Sequence, residues 1–344
     1  MSALRTLLVG LGARGAFWAE VINRSPDCEL VGYVDPRPEA LQQARERFGD
    51  RPAFADVDEA LAAIEGVEAL VLATPPEGRE QQIRAACERK LPLLVEKPLA
   101  LSLEEAAVTV RQAEEADIPL MVGLNFRYLA VTEETVWLLR EGVVGRPEFA
   151  RFTYERWRDG YRARLNKYPL SMVHPMLWEQ SIHHFDLMRF VYGAEPETAY
   201  CKTWNPSWTM YADDTNVSAI FTFTGDLVVN YQGTWQSGWQ EPHFEWRTDC
   251  TEGILTQGDQ FGELSFARRH DPSLTPVSLS PHEQWITDTS GVLRAFVKSV
   301  VGGEPLECSG RDHLKSLAMV EACITSSETG RAVDVRAILE RLTG

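Results

Sequence analysis

Four short stretches carry residue types that can do chemistry together. The apolar run Leu91 to Val95 ends abruptly in Glu96-Lys97-Pro98. A lysine at the end of a buried strand is costly unless it is paired or used. In open α/β sheets, ligands bind just beyond the carboxyl ends of the strands. Lys97 is therefore expected at the mouth of a cofactor site. Gly10-Leu11-Gly12-Ala13-Arg14-Gly15 has the form G-x-G-x-x-G. Its first glycine allows a tight turn, its second lets backbone approach a pyrophosphate, and its third lets helix and strand pack closely. Asp35 ends the next apolar run, about 20 residues on, where a carboxylate can grip the hydroxyls of an adenosine ribose. Asp35 repels a 2′-phosphate and so favours NAD. Arg37, two residues later, could accommodate that phosphate, which keeps NADP open. Thr74-Pro75-Pro76 breaks a third apolar run, again on the ligand side.

The last stretch is Glu179-Gln180-Ser181-Ile182-His183-His184-Phe185-Asp186, inside a helix expected from Leu177 to Tyr192. Glu179, His183 and Asp186 fall at i, i+4 and i+7, on one helical face. Three readings fit a histidine between two acids: a solvated face, a metal site, or a histidine tuned for proton transfer. The metal reading needs a further ligand and lacks the H-E-x-x-H form, so no metal is expected.

The elements that must position these residues follow from periodicity. Strands are expected at Leu4–Val9, Leu30–Asp35, Ala53–Phe54, Ala69–Ala73, Leu91–Val95 and Leu120–Gly123, with a helix between each pair. Short connections and strict alternation predict a doubly wound parallel sheet. The pattern changes after Asn125-Phe126-Arg127-Tyr128. Strands rich in β-branched and aromatic residues then dominate, at Phe149–Arg156, Thr198–Thr203, Asn216–Phe223, Leu227–Thr234, Phe244–Thr248 and Gly253–Thr256, and helices close the chain. The fold class is α/β: a Rossmann domain over residues 1–124, then an α+β domain over 125–344 with a large, mostly antiparallel open sheet. The closing helices could pack back on the first domain.

Bulk properties narrow the function. The chain has 344 residues, is 44% hydrophobic and carries a formal net charge of -16. Such a balance argues against nucleic acid or an anionic membrane as the main partner. No apolar run approaches the roughly 20 residues of a membrane span, and the first residues do not read as a signal peptide. Six cysteines are scattered without a Cys-x-x-Cys pair. A reduced, cytoplasmic protein is expected.

These residues together resemble the glucose–fructose oxidoreductase / inositol dehydrogenase family of NAD(P)-dependent oxidoreductases. The resemblance rests on Gly10 to Gly15 with Asp35, Ala73-Thr74-Pro75-Pro76, Glu96-Lys97-Pro98, Asn125 to Tyr128, the helix bearing His183, and the closing Ser326 to Val333. It implies sugar, polyol or sugar-derivative substrates and a homodimer or homotetramer formed through the open sheet. It implies cofactor contacts from Gly10, Gly12, Ala13, Arg14, Gly15, Asp35, Arg37, Thr74, Pro75, Pro76, Glu96, Lys97 and Asn125. Lys97 and His183 are the implied catalytic pair, and the family includes members whose Lys–Pro bond is cis. Many members carry an aspartate one turn before the histidine; here Glu179 stands there, with catalytic and substrate roles. Arg127 and Trp157 complete the expected substrate contacts, while Trp178, Trp235, Arg156, Arg158 and Arg162 are further candidates. Two other functions share these motifs: a glycosidase that oxidises its substrate transiently with bound NAD, and a non-catalytic sensor of the NAD redox state.

Overall fold

Six apolar runs that alternate with helices line up as one parallel sheet in the computed structural model, which describes residues 3–163 and 165–342. In chain order these are β1 (Leu4–Val9), α1 (Ala13–Arg24), β2 (Cys28–Val34), α2 (Pro38–Phe48), β3 (Ala53–Phe54), α3 (Val57–Ala63), β4 (Ala69–Leu72), α4 (Glu80–Arg89), β5 (Leu93–Val95), α5 (Leu103–Glu115) and β6 (Leu120–Val122). The strand order is β3-β2-β1-β4-β5-β6. Strand order reverses beside β1, which makes the crevice between β1 and β4 the ligand side of the sheet. β4 and β5 are buried throughout because helices cover both faces. Asp56 and Ser102 cap α3 and α5 by accepting hydrogen bonds from backbone N–H groups.

The second sheet is built differently. After α6 (Ala130–Arg140) come β7 (Pro147–Glu155), a π-helical segment at Met176–Ser181, α7 (Ile182–Tyr192), β8 (Pro196–Trp204), β9 (Asn216–Phe223), β10 (Leu227–Thr234), β11 (His243–Cys250), β12 (Gly253–Asp259), β13 (Gly262–Arg268) and β14 (Thr275–Pro276). α8 (Thr287–Gly302), α9 (Gly310–Thr329), β15 (Val333–Asp334) and α10 (Val335–Glu340) follow. The nine strands are ordered β14-β13-β12-β11-β7-β10-β9-β8-β15. All pairings are antiparallel except β7 with β10, whose registers run from Phe149 opposite Val228 to Glu155 opposite Thr234. One face alternates inward with Ala150, Phe152, Tyr154, Ala199, Cys201, Ala219, Phe221, Val229 and Tyr231, all buried.

By contact density the chain divides into two units, residues 1–128 with 283–314 and residues 129–282 with 315–344. Within the first, α8 packs on α1, and Asn125 donates from Nδ2 to Asp288 of α8.

Candidate active site

The glycine loop follows β1 directly. Gly10 has φ +92°, and a Cβ there would lie 2.8 Å from the Ala73 carbonyl carbon. At Gly15 a Cβ would sit 2.0 Å from the Gly10 oxygen. Both positions therefore require glycine. Gly12 differs, because a Cβ there would meet nothing within 4 Å. It is the N-cap of α1, with no side-chain cap and no acid in the first turn. Space over the loop and uncapped N–H groups at a helix start suit a pyrophosphate. Asp35, 3% exposed, sits just past the end of β2 and accepts from the Leu11 N–H at 2.8 Å. These residues fit a dinucleotide.

Lys97 is half-buried at the end of β5, and its bond to Pro98 is cis. Two anchors hold this turn. Glu96 is 5% exposed, and its Oε1 accepts from Trp18 Nε1 at 2.7 Å and Arg14 Nε at 2.9 Å. That ties the turn to the helix of the glycine loop. The second anchor is Arg79, 2% exposed, which sequence reasoning missed. Its Nη1 donates to the carbonyls of Glu96 and Pro98, both at 2.7 Å, while Nη2 reaches the carbonyl of Thr74. One guanidinium thus joins the ends of β4 and β5. Its only signal in the sequence is a basic residue following the Thr74-Pro75-Pro76 break.

Arg127 makes two contacts of long sequence range. It is 5% exposed, with Nη2 donating to Asp312 at 2.7 Å and Nη1 to the Glu307 carbonyl at 2.6 Å. Its fork fastens Asn125–Tyr128 to the Glu307 carbonyl and to Asp312 in the first turn of α9.

The histidine helix also differs from a uniform α-helix. Glu179 lies in the π-helical segment, whose wider turns shift it relative to α7, so the i, i+4 register does not run unbroken to His183. π turns inside helices often mark functional sites. His183 is 7% exposed and Asp186 1%, which removes the solvated-face reading. Asp186 Oδ1 accepts from Ser316 Oγ at 3.2 Å and lies 3.8 Å from Arg189 Nη1. Glu179 accepts a hydrogen bond from Tyr168 Oη at 2.5 Å.

His184 is a structural histidine. Gln180 Nε2 faces its Nε2 at 3.0 Å, and Tyr231 Oη faces its Nδ1 at 2.9 Å. Tyr154 Oη donates to Gln180 Oε1, which fixes the amide so that its NH2 donates to His184 Nε2. The proton then sits on Nδ1 and is donated to Tyr231 Oη, which in turn can donate to Ser181 Oγ at 2.8 Å. Burial holds the imidazole neutral, with its pKa lowered to about 3.

Trp178 and Trp235, at 4% and 2% exposure, are core residues rather than a substrate wall. Arg158 stacks on Trp235 at 4.2 Å. Trp157, by contrast, lines a cavity with Trp208 and Trp239. A grouping with metal-ligand spacing occurs away from the helix face weighed above, at His174, Asp213 and Asp214. Both of its carboxylates already accept hydrogen bonds, from the Asp214 N–H and from Thr203 Oγ1.

Two family models match the chain. One, described as the oxidoreductase family with NAD-binding Rossmann fold, matches residues 4–124. The other, the GFO/IDH/MocA C-terminal domain, matches residues 136–256. The chain belongs to the GFO/IDH/MocA oxidoreductase family. Relatives in this family carry dehydrogenase and reductase names, and this chain is an NAD-binding oxidoreductase of the family. The D-apiose dehydrogenase of Rhizobium rhizogenes is 25% identical, with 98% of this chain and 99% of that one aligned. Myo-inositol 2-dehydrogenase of Thermotoga maritima is 26% identical over 98% of this chain and all of its own. Among solved structures, an oxidoreductase from Agrobacterium radiobacter in complex with NAD+, L-tartaric acid and magnesium superposes with a TM-score of 0.88. It is 22% identical, and 98% of this chain and 100% of that one are covered.

Proposed function

We propose that the protein oxidises a secondary alcohol of a sugar, polyol or sugar derivative, with Lys97 and His183 acting on the same substrate oxygen. NAD, when bound, supplies the hydride acceptor at nicotinamide C4. The chain's own residues handle the proton and the charge. His183 takes the hydroxyl proton and returns it in the reverse direction. Lys97 donates a hydrogen bond to that oxygen and stabilises the negative charge developing on it. Glu179, one turn before His183, supports the imidazolium that forms. Gly10 to Gly15 and Asp35 hold the pyrophosphate and adenosine ribose, and Thr74, Pro75, Pro76 and Asn125 complete the cofactor wall.

The observation that carries this reading is the anchoring of the Lys97 turn. Glu96 fastens it to α1, and Arg79 fastens it to the end of β4. Lys97 is thereby held rigidly beside the glycine loop, which a merely solvated lysine would not need. The neutral, fully bonded His184 supports His183 as the proton carrier of the adjacent pair. Relatives named for D-apiose and myo-inositol support the substrate class. The test is NADH formation across a panel of sugars, inositols and sugar acids. Tight NADH binding with no turnover on any of them would sink the dehydrogenase reading in favour of an NAD sensor.

We further infer a homodimer or homotetramer formed through the outer face of the nine-stranded sheet. Phe149, Tyr200 and Ile220 are about half exposed on that face, and Tyr200 and Ile220 are directly paired across β8 and β9. Exposed aromatic and aliphatic residues in adjacent strands suit burial by a partner. A reducing cytoplasmic setting agrees with the six free cysteines.

A further inference from the structure

We propose that Trp157, Trp208 and Trp239 form a subsite for an uncharged sugar ring. The cavity they line holds about 460 Å³ and is completed by Ser237, Gly238 and Gln240. It lies just past the ends of the parallel pair β7 and β10. Trp157 pairs with Gln236 through backbone, and Trp208 Nε1 donates to the Gln236 carbonyl at 3.1 Å. The Trp208 indole and the Trp157 backbone are thus held by the chain that follows β10.

Trp208 and Trp239 are the most exposed tryptophans of this unit among the described residues, ahead of Trp137 at 53% and Trp204 at 38%. Trp178, Trp235 and Trp246 are buried, whereas Trp208 is 59% exposed and Trp239 71%. Two large apolar faces left in water around one cavity favour a ligand that covers them. The lining contains no ionisable side chain, so nothing there compensates a phosphate, a carboxylate or a cation. What it offers is indole faces, a serine hydroxyl, a glutamine amide and backbone. That combination matches a molecule with C–H faces and hydroxyl edges, which is a neutral sugar ring.

The subsite is also connected to the histidine helix within the same unit. A Cβ on Gly233 would lie 2.6 Å from Met176 Cε, so the segment carrying Glu179 packs on the last turn of β10. Arg156 Nη1 donates to Tyr154 Oη at 3.2 Å, and that hydroxyl donates to Gln180. On the dehydrogenase reading, the ring held by the tryptophans is part of that enzyme's substrate. The ligand class rests on that reading, while occupancy of the cavity can be measured separately.

The test is saturation-transfer NMR titration of the full chain. The ligands are methyl glycosides and disaccharides of glucose, galactose, mannose and xylose, with glucuronate and glucose 6-phosphate as anionic counterparts. Neutral rings should bind, and the anions should bind at least about tenfold more weakly. Trp208→Ala and Trp239→Ala should each weaken neutral-ring binding by about tenfold, with NADH affinity and melting temperature retained as controls for folding. The proposal is overturned if no neutral sugar of the panel binds, if only the anions bind, or if both variants bind neutral rings as the parent does. It is equally overturned if the substitutions shift only the oligomeric state, which would make the tryptophans a contact between copies. Sugar binding without NADH formation would remove the dehydrogenase reading and leave the subsite. NADH formation with unchanged KM in both variants would do the reverse.

Discussion

Arg37 closes a two-pronged grip on Asp35, with Nε 2.8 Å from Oδ1 and Nη2 2.8 Å from Oδ2. Burial pushes the Asp35 pKa up, but hydrogen bonds from Arg37 and from the Leu11 and Arg37 N–H groups outweigh it and leave the net shift downward. Asp35 is therefore ionised at neutral pH. The Arg37 side chain is 58% exposed, so it can swing aside at little cost.

Cofactor choice follows from that pair. Asp35→Ser should weaken NADH binding by about tenfold to a hundredfold, since hydrogen bonds to a charged group contribute roughly 1.5–3 kcal/mol. Arg37→Ala should instead raise the preference for NADH over NADPH by about tenfold, because it removes a guanidinium able to meet a 2′-phosphate. Fluorescence titration with both nucleotides reads the two outcomes. Unchanged selectivity in both variants would place the ribose elsewhere.

Lys97→Met and His183→Ala should each lower kcat by about a hundredfold to ten-thousandfold on the true substrate, with NADH affinity kept. Single-turnover hydride transfer separates this from slow product release. Turnover near the parent's in either variant would remove that residue from the mechanism.

Arg79→Lys should lower kcat more than it raises KM. A single ammonium cannot reach the carbonyls of Thr74, Glu96 and Pro98 at once. Arg79→Ala should also cost several kcal/mol of stability, roughly 1–3 for each buried carbonyl left without a donor. Thermal melting beside steady-state kinetics distinguishes positioning from simple unfolding, because the lysine variant retains a buried cation. A lysine variant with parental kcat would show that the clamp has no bearing on catalysis.

His184 makes stability fall in acid. Its folded pKa of about 3 lies below the ordinary 6.5, so between those values the unfolded chain binds the extra proton. The stabilisation is fully present above pH of about 6.5 and is lost as pH falls toward 3. His184→Asn should flatten that slope in denaturant melts recorded from pH 7 to pH 4. An unchanged slope would assign the acid sensitivity to other groups.

The outer sheet face is checked by sedimentation. Ile220→Lys with Tyr200→Lys should place two charges in the contact and shift the protein toward monomer. An unchanged assembly would move the interface off these strands.

The six strands of the first sheet were legible because mostly apolar runs between helices favour one arrangement, a parallel sheet covered on both sides. β13 was missed because Gly262–Arg268 mixes charged with apolar residues, which weakens the alternation that marks a strand. Local motifs marked Gly10, Gly12, Gly15, Asp35 and Lys97, since each role there depends on a residue type at a fixed distance from a strand end. The partners of Arg127 were illegible for the opposite reason. Residue type does not reveal which groups a guanidinium meets, and Asp312 and the Glu307 carbonyl lie about 180 residues further along the chain.

The sequence by itself determined the family, the NAD loop and the lysine turn, because these rest on short-range spacing. Only the tertiary structure decided what holds that turn, which of the two adjacent histidines is locked neutral, and which tryptophans face a cavity. Those answers depend on partners far apart in the chain: Arg79 with Glu96, His184 with Tyr231, Trp208 with Gln236. Burial and hydrogen-bond satisfaction are properties of the packed molecule, and residue type and spacing do not specify them.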